Sequence, residues 1–417
     1  MYAILSILKQ KKLIKQALVI CPVRPMWRVW PNQKNAYADF EHLTVAVAHG
    51  ADKDEVLRSQ VDIVCINPEA LTWLFASPER EKYVKANFDV LIVDESTYFQ
   101  NTQSQRFKLL KKVVPIFKRR YILTGSMIHK DLLGLFGQIY ILDEGQSLGR
   151  YITKFKTEYF YPSGWGGYEW RPMENAEARI IEKIQPLVCR AEISGVVDLP
   201  ELIVEDIFVE LPAPAQVLYK KMWDELLVSV GEGEVVAANA AVASGKCRQI
   251  ANGGIYVSPS VWEPVHDEKM AALEELLERL CGDPVLITYE FQFDRERIAE
   301  RFKVPCISTG NAKKDAEYID LFSKGLLPAV MGSPKSIALG IDGLQNSCNH
   351  IAMFGVPWSL LDYQQTIARV QRSGSKAKHC YLHRILAANT VDERVIKVLE
   401  NREATQEAFM GLLIPLE

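Results

Sequence analysis

Two adjacent acids, Asp94 and Glu95, close an apolar run at residues 90–93 within FDVLIVDESTYFQN. The run is short, unbroken and bounded by polar residues, which predicts a strand buried on both faces. Carboxylates at the C-terminal end of such a strand sit on the rim of a parallel sheet, where these sheets place ligand chemistry. One carboxylate can hold a magnesium ion while its neighbour orients and deprotonates a water, a pairing that hydrolysis of a nucleoside triphosphate uses. A second set lies in YQQTIARVQRSGS, residues 363–375, where Gln365, Arg369 and Arg372 are spaced four and three apart. That spacing predicts one helix face. A planar, permanently charged guanidinium suits the charge that develops on a transferring phosphoryl group. Taken singly, each set has a bland reading: a strand followed by a charged turn, and a solvated helix face.

The elements that must position these groups alternate along the chain. An amphipathic helix opens it (MYAILSILKQKK), followed by the apolar strand ALVIC at 17–21, Pro22 and the tryptophan-containing segment RPMWRVW. Further strands are predicted at 43–48, at 62–66 (DIVCI) and at 120–124 (RYILT, a buried strand leading into Gly125-Ser126). Strands alternating with helical stretches predict a parallel α/β sheet. From about residue 150 the pattern changes. YFYPSGWGGYEWRP reads as a loop or hairpin whose Trp165, Tyr168 and Trp170 have only Arg171 as a basic neighbour, which favours surface packing over base stacking. Residues 202–211 alternate between prolines and read as a crossover between lobes, with helical material at 215–250. Met270, Leu273, Leu276, Leu277 and Leu280 form a helical core stripe ended by Gly282. A second parallel sheet is predicted from VLITY, VPCIS, LPAVMG, NHIAMFG and KHCYLHRI. The last helix starts at Thr390, where Thr390 and Glu393 have capping-box spacing.

Composition narrows the classes. With 417 residues the chain has room for two or three domains, and 48% apolar with 24% charged residues is ordinary for a globular protein. A net charge of −3 means that nucleic acid would be held by local basic patches. Eight scattered cysteines without a CxxC pair or histidine cluster argue against a zinc site or disulfide framework and for a reducing compartment. No apolar run reaches membrane-spanning length.

The ordered set of motifs resembles the Swi/Snf-type branch of superfamily-two helicases, ATP-driven translocases on double-stranded DNA, in the compact form found in phages and bacteria. The matching pieces, in family order, are ALVICPVRPMWRVW, VDIVCINPEAL, IVDESTYFQN, YILTGSMIHKDLLGLFGQIYILD, LVCRAEISGVVDLPEL, CRQIANGG and SIALGIDGLQNSCNHIAMFGVPWSLLDYQQTIARVQRSG. They cover nearly the whole chain.

The resemblance implies an α/β protein of two RecA-like parallel-sheet lobes with helical insertions between them: residues 1–150 as the first lobe, 151–275 as the interlobe region and 276–417 as the second lobe. It implies ATP and magnesium as cofactors, with Asp94 the magnesium-associated carboxylate, acting through water, and Glu95 the base. Thr124, Gly125 and Ser126 would link nucleotide state to lobe closure. Gly340, Asp342 and Gly343 would form the loop that approaches from the second lobe. Gln365 and Arg369 would contact phosphates or the acidic pair, and Arg372 would be the arginine finger. Double-stranded DNA is the implied partner. Arg24 and Trp27 are its candidate contacts, and Lys111, Lys112, Lys118, Arg119 and Arg120 read mainly as solvated positions. A monomer in the cytoplasm of a bacterium or phage-infected cell is expected.

The sequence departs from the family at four places. No glycine-rich loop ending in Gly-Lys-Thr or Gly-Lys-Ser occurs; the only Gly-Lys, Gly245-Lys246, is followed by Cys247. The sequence reads as beginning just after the expected lysine, through a mis-assigned start, a truncation or a cut. Weak ATP binding and slow hydrolysis are expected of the chain as written. Gln100 stands where lysine is usual, Met127 where proline is usual, and Ser96-Thr97 in place of Ala-His. Two other functions stay open: a non-catalytic nucleic-acid-binding scaffold, and a strand-separating helicase of the same superfamily.

Overall fold

The computed structural model describes residues 1–33, 37–125, 127–128, 131–163, 169–190, 199–230, 235–338, 341–375 and 377–412. The apolar runs of the first third become β1 (Gln16–Ile20), β2 (Val45–Val47), β3 (Ile63–Ile66), β4 (Phe88–Asp94) and β5 (Arg119–Leu123). They pair in the order β2-β3-β1-β4-β5, all parallel. Side chains alternate across the sheet. Leu18, Ile20, Leu91 and Val93 enter one core, and Ala17, Val19, Val90 and Ile92 the core on the opposite face. A sheet covered on both sides explains the unbroken apolar runs. The segment expected as a buried strand at 120–124 is instead half-buried throughout β5, because an edge strand has a neighbour on one side only.

The aromatic segment after residue 150 includes an antiparallel pair, β6 (Phe160–Ser163) and β7 (Glu169–Pro172). Its Trp165 and Tyr168 lie outside the described residues. Trp170 packs beneath the Lys156 ammonium, which lies 5.2 Å from the ring centroid, within the reach of a cation–π contact. A third core, built on helices Gly134–Asp143, Ile152–Tyr159 and Ala176–Ile184, lies beside it in the chain.

Two compact units result, Met1–Ala191 with Thr405–Glu417, and Glu192–Ala404. The second carries β8 (Glu201–Val209), the antiparallel pair β9 (Gly254–Ser258) and β10 (Val261–Pro264), then β11 (Val285–Thr288), β12 (Ala329–Gly332), β13 (His350–Met353) and β14 (His379–Ala387). Its main sheet runs β12-β11-β13-β14-β8, again all parallel. Two expectations are corrected here. Residues 202–211 do not form a free crossover: β8 pairs with β14 from Glu201↔His379 to Val209↔Ala387. Its alternation is that of an edge strand with one wetted face. VPCIS is not a strand; Cys306 makes a single bridge to Met331. The predicted stripe is core: Met270, Leu273, Leu276 and Leu280 are buried along and just after helix Glu268–Arg279. Among the described residues, no helix is long and apolar enough to cross a membrane.

The C-terminal edge of the second sheet is tied together by one buried ammonium. Lys269 Nζ donates to Asn252 Oδ1 at 2.9 Å, to the Phe354 carbonyl at 3.3 Å and to Asp392 Oδ2 at 2.6 Å. Asn252 Nδ2 donates onward to Asp294 Oδ2 at 2.9 Å. Burial pushes the Asp294 carboxyl up to about 6, against the backbone N–H of Phe291 and the Asn252 amide, which favour its ionised form. A Cβ on Gly355 would lie 2.8 Å from Asn252 Nδ2, so only glycine lets that amide approach. The last helix follows Thr390, whose hydroxyl accepts from the Asp392 N–H at 3.2 Å. Glu393 reaches back to the N–H of Asn389 rather than that of Thr390, leaving the predicted capping box half made.

A second buried chain joins three strands. His350 Nδ1 lies 3.0 Å from His383 Nε2, and His383 Nδ1 lies 2.5 Å from Glu205 Oε2. The carboxylate only accepts, so His383 donates from Nδ1 and accepts at Nε2 from His350. Arg279 pairs with the same carboxylate at 2.7 Å. Burial holds both imidazoles below their ordinary range, with Arg279 adding to it and Glu205 opposing it at His383.

Two outcomes follow from this packing. Lys269→Met strands Asp392 and Asn252 without their donor and should cost about 3–5 kcal/mol in urea unfolding, as for other broken buried pairs. The histidines bind protons less readily folded than unfolded, so their contribution is complete above the unfolded value of about 6.5 and is lost as pH falls through it. Urea midpoints between pH 8 and 5.5 should therefore fall less steeply for His383→Gln than for the wild type; parallel curves would contradict this.

Candidate functional site

Because every strand of the first sheet is parallel, β1, β3, β4 and β5 all end on one edge, and the sequence-predicted groups of this unit gather there. Asp94 is the last residue of β4 and pairs in register with Leu123, so Thr124 and Gly125 emerge beside Glu95. Glu95 adopts a left-handed conformation, φ 58° and ψ 62°, which costs a non-glycine residue energy and turns the chain sharply into the 3-10 turn Ser96–Phe99. Ser126 lies outside the described residues.

Asp94 is the most constrained of these groups. Burial pushes its carboxyl above the ordinary range, while the Trp30 indole and the Glu95 backbone N–H favour the charged form. Trp30 Nε1 donates to Asp94 Oδ2 at 3.0 Å, and Trp30 itself is buried. The indole claims one carboxylate oxygen and fixes the orientation of the other. A desolvated carboxylate with a fixed second oxygen fits a magnesium ion that otherwise relies on water and phosphate oxygens. Among the described residues, no group of three or more acids, histidines or cysteines could hold a metal by protein ligands alone.

Trp30 is the residue that sequence reasoning missed. The segment was visible as tryptophan-rich, but Trp27 was the tryptophan singled out. Trp27 is 51% exposed and meets His49 edge-on at 6.3 Å. Arg24 is half-buried on the same helix, Val23–Arg28, after the C-terminal end of β1. The weaker basic candidates divide. Lys111 and Lys112 sit in the last turn of helix Gln105–Val113, where positive charge suits the helix end. Lys118 pairs with Asp89 at 2.7 Å and Arg120 with Glu144 at 2.6 Å. Together with Arg119 they stand where β4 and β5 begin, the sheet edge opposite Asp94, so the structure does not bring them to the site.

In the second unit, Gln365 lies on helix Leu360–Ile367, started by Ser359, whose hydroxyl accepts from the Asp362 N–H at 3.2 Å. The helix ends before the arginines, so the expected single helical face is not formed; Arg369 and Arg372 occupy the turns that follow. Each is held instead by its own tertiary contact. Arg369 donates to the Ala338 carbonyl, and Arg372 Nη1 lies 2.9 Å from Asp342 Oδ1. The same oxygen accepts from the Gly343 N–H at 2.9 Å and from Gln345 Nε2 at 3.2 Å. Gly343, with φ 95°, takes a conformation that favours glycine. Gly340 lies outside the described residues. Thus Asp342, Gly343, Gln345 and Arg372 form one cluster, and Arg369 is held separately at the Ala338 carbonyl.

The SNF2-related domain model matches residues 1–253, and the helicase conserved C-terminal domain model matches residues 268–374. Protein p41 of Acyrthosiphon pisum secondary endosymbiont phage 1 is 27% identical over 412 residues, covering 95% of this chain and 88% of that protein. The mouse DNA repair and recombination protein RAD54-like is 26% identical over 363 residues, 77% of this chain; the chain spans about half (47%) of that relative's length. A solved Sulfolobus solfataricus SWI2/SNF2 ATPase core in complex with dsDNA is similar at 20% identity and a TM-score of 0.41, covering 97% of this chain and 84% of that one. With the SNF2-related domain accounting for more than half of its residues and the helicase C-terminal domain following in order, the chain belongs to the SNF2-related family of the ATPase/helicase class.

Proposed function

We propose that the chain is a DNA-stimulated ATPase that couples hydrolysis to movement along double-stranded DNA. The observation that carries this reading is the Asp94–Glu95 turn, two carboxylates at the C-terminal edge of a buried parallel strand, one of them oriented by an indole. In this reading Asp94 holds magnesium through water and Glu95 activates the attacking water. Thr124, Gly125 and Ser126 carry the nucleotide state away from the sheet edge. Gln365 and Arg369 serve phosphate contacts, and Arg372 stabilises charge on the transferred phosphoryl group. The ion pair that Arg372 makes with Asp342 is solvent-accessible, at 38% and 67% side-chain exposure, and such pairs are worth about 0–1 kcal/mol. Arg372 is therefore free to exchange Asp342 for a phosphate at little cost.

The same proposal includes alternating lobe closure by ATP and opening after hydrolysis, with phosphate-directed DNA contacts in which Arg24 and Trp27 take part. The names of relatives support the class: RAD54-like repair proteins, and an ATP-dependent helicase of Mycoplasma genitalium that is 24% identical over 420 residues. The 417 residues supply no Gly-Lys-Thr cradle for the β- and γ-phosphates, so hydrolysis by these residues is proposed to be slow and to need high ATP.

The test is steady-state hydrolysis at saturating magnesium-ATP with and without duplex DNA, alongside displacement of a third strand from a triplex. Duplex DNA should raise the rate. Glu95→Gln and Arg372→Ala should each lower it at least about 100-fold, the scale of losing a catalytic base or a transition-state charge partner. Triplex displacement without opening of a short duplex should accompany it. Rates insensitive to both DNA and Glu95→Gln would favour the scaffold reading, and duplex opening would favour a strand-separating helicase.

A further inference from the structure

Ser96 and Gln138 are both 0% exposed, an unusual burial for two uncharged polar side chains facing each other in an apolar setting. Ser96 follows the Asp94–Glu95 pair. Gln138 lies in mid-helix on Gly134–Asp143, outside every segment so far assigned a task. The Ser96 hydroxyl donates to Gln138 Oε1 at 2.6 Å, and Gln138 Nε2 donates to the Met127 carbonyl at 2.7 Å. The Gly134 carbonyl, at 3.4 Å, is a weaker second acceptor. The amide orientation is fixed by its partners, since two carbonyls face the nitrogen and a hydroxyl faces the oxygen. One side chain thus spans from the residue after the acidic pair to the segment that continues Thr124-Gly125.

The backbone around it leaves no slack. A Cβ on Gly137 would lie 2.3 Å from the Phe99 carbonyl, and one on Gly134 would lie 3.0 Å from the Gln100 side chain. The helix therefore touches the 3-10 turn that starts at Ser96 through bare backbone. An apolar residue at 138 would fill the same space without a buried amide, which is destabilising when either partner is lost. The two substitutions already noted, serine at 96 and methionine at 127, are the two ends of this bridge.

We propose that Gln138 is a positioning residue that transmits displacement of the Asp94–Glu95 turn to the Thr124–Ile128 segment. The purpose of the link rests on the nucleotide reading above, but its existence does not. A shift of Ser96 pulls the amide oxygen, and the rigid amide plane carries the shift to the Met127 carbonyl because the helix that bears Gln138 is packed tightly against the 3-10 turn at Gly137.

The test is a double-mutant cycle read by hydrogen exchange without nucleotide, so its outcome is independent of whether the chain hydrolyses ATP. Asp94→Asn removes the charge that Trp30 orients and perturbs the turn. In the otherwise wild-type protein it should raise exchange in peptides covering residues 120–128 by about threefold or more, as local opening does when a tether is loosened. In a Gln138→Met background, similar in size but without the amide, that response should vanish while peptides of the second unit stay unchanged. Ser96→Ala, which cuts only the near end and keeps Gln138, should abolish the response too and guards against misfolding of the Met variant. An equal response to Asp94→Asn in all three backgrounds, or none in the wild type, overturns the proposal.

Discussion

The first unit depends on a conflict at the end of β4. A strand that is buried along its length must finish in a carboxylate, and burial opposes the ionised form. The conflict is contained by three local devices. The Trp30 indole and the Glu95 N–H both favour the Asp94 anion. The left-handed conformation at Glu95 ends the strand at once and turns the chain into the 3-10 turn that follows. Close helix packing at Gly137 fixes the turn that follows. A divalent cation beside Asp94 would add the strongest of the available compensations, since a nearby positive charge offsets the same desolvation that raises the carboxyl.

The second unit answers a different constraint with a different solution. Its sheet edge must hold four chain segments in register, and the pin is a positive charge rather than a negative one. Lys269 has no exposed side-chain surface and three acceptors, and Asn252 and Asp294 extend the pattern to the start of helix Gln292–Phe302. With three acceptors around its ammonium, Lys269 specifies one arrangement of the loops it joins. Arg372 lies outside it, on a solvent-accessible ion pair with Asp342 that is weak because water screens it. The contrast is between rigid support in the interior and a guanidinium, Arg372, whose partner is exchangeable at the surface.

Much of the architecture was legible because parallel strands buried on both faces write themselves as continuous apolar runs. ALVIC, DIVCI, VLITY and NHIAMFG each contain a strand of the main sheets. The misreadings have specific causes. Residues 202–211 looked like a linker because an edge strand with a wetted face shows broken hydrophobicity, and nothing local announces pairing with β14, almost two hundred residues away. VPCIS has strand-like residues but keeps one bridge. The arginines at 369 and 372 do not share a helix face because the helix stops short of them, and each is held by a separate tertiary contact. The acidic pair itself was readable, because adjacent carboxylates after an apolar run are a local pattern. Trp30, Gln138 and Lys269 were not, because each acts by a hydrogen bond to a residue distant in sequence, and tryptophan, glutamine and lysine carry no mark of that alone.

The central proposal is that Asp94 and Glu95 of the first unit and Arg372 of the second all serve ATP hydrolysis. Its most direct test is the distance between spin labels, introduced as non-natural residues at the exposed positions Gln103 and Ser373, measured by pulsed EPR. With duplex DNA and a saturating non-hydrolysable ATP analogue with magnesium, the distribution should shift to shorter distances and narrow, and Arg372→Ala should prevent this. An unchanged distribution, with the analogue shown to be bound by equilibrium dialysis, would contradict the account.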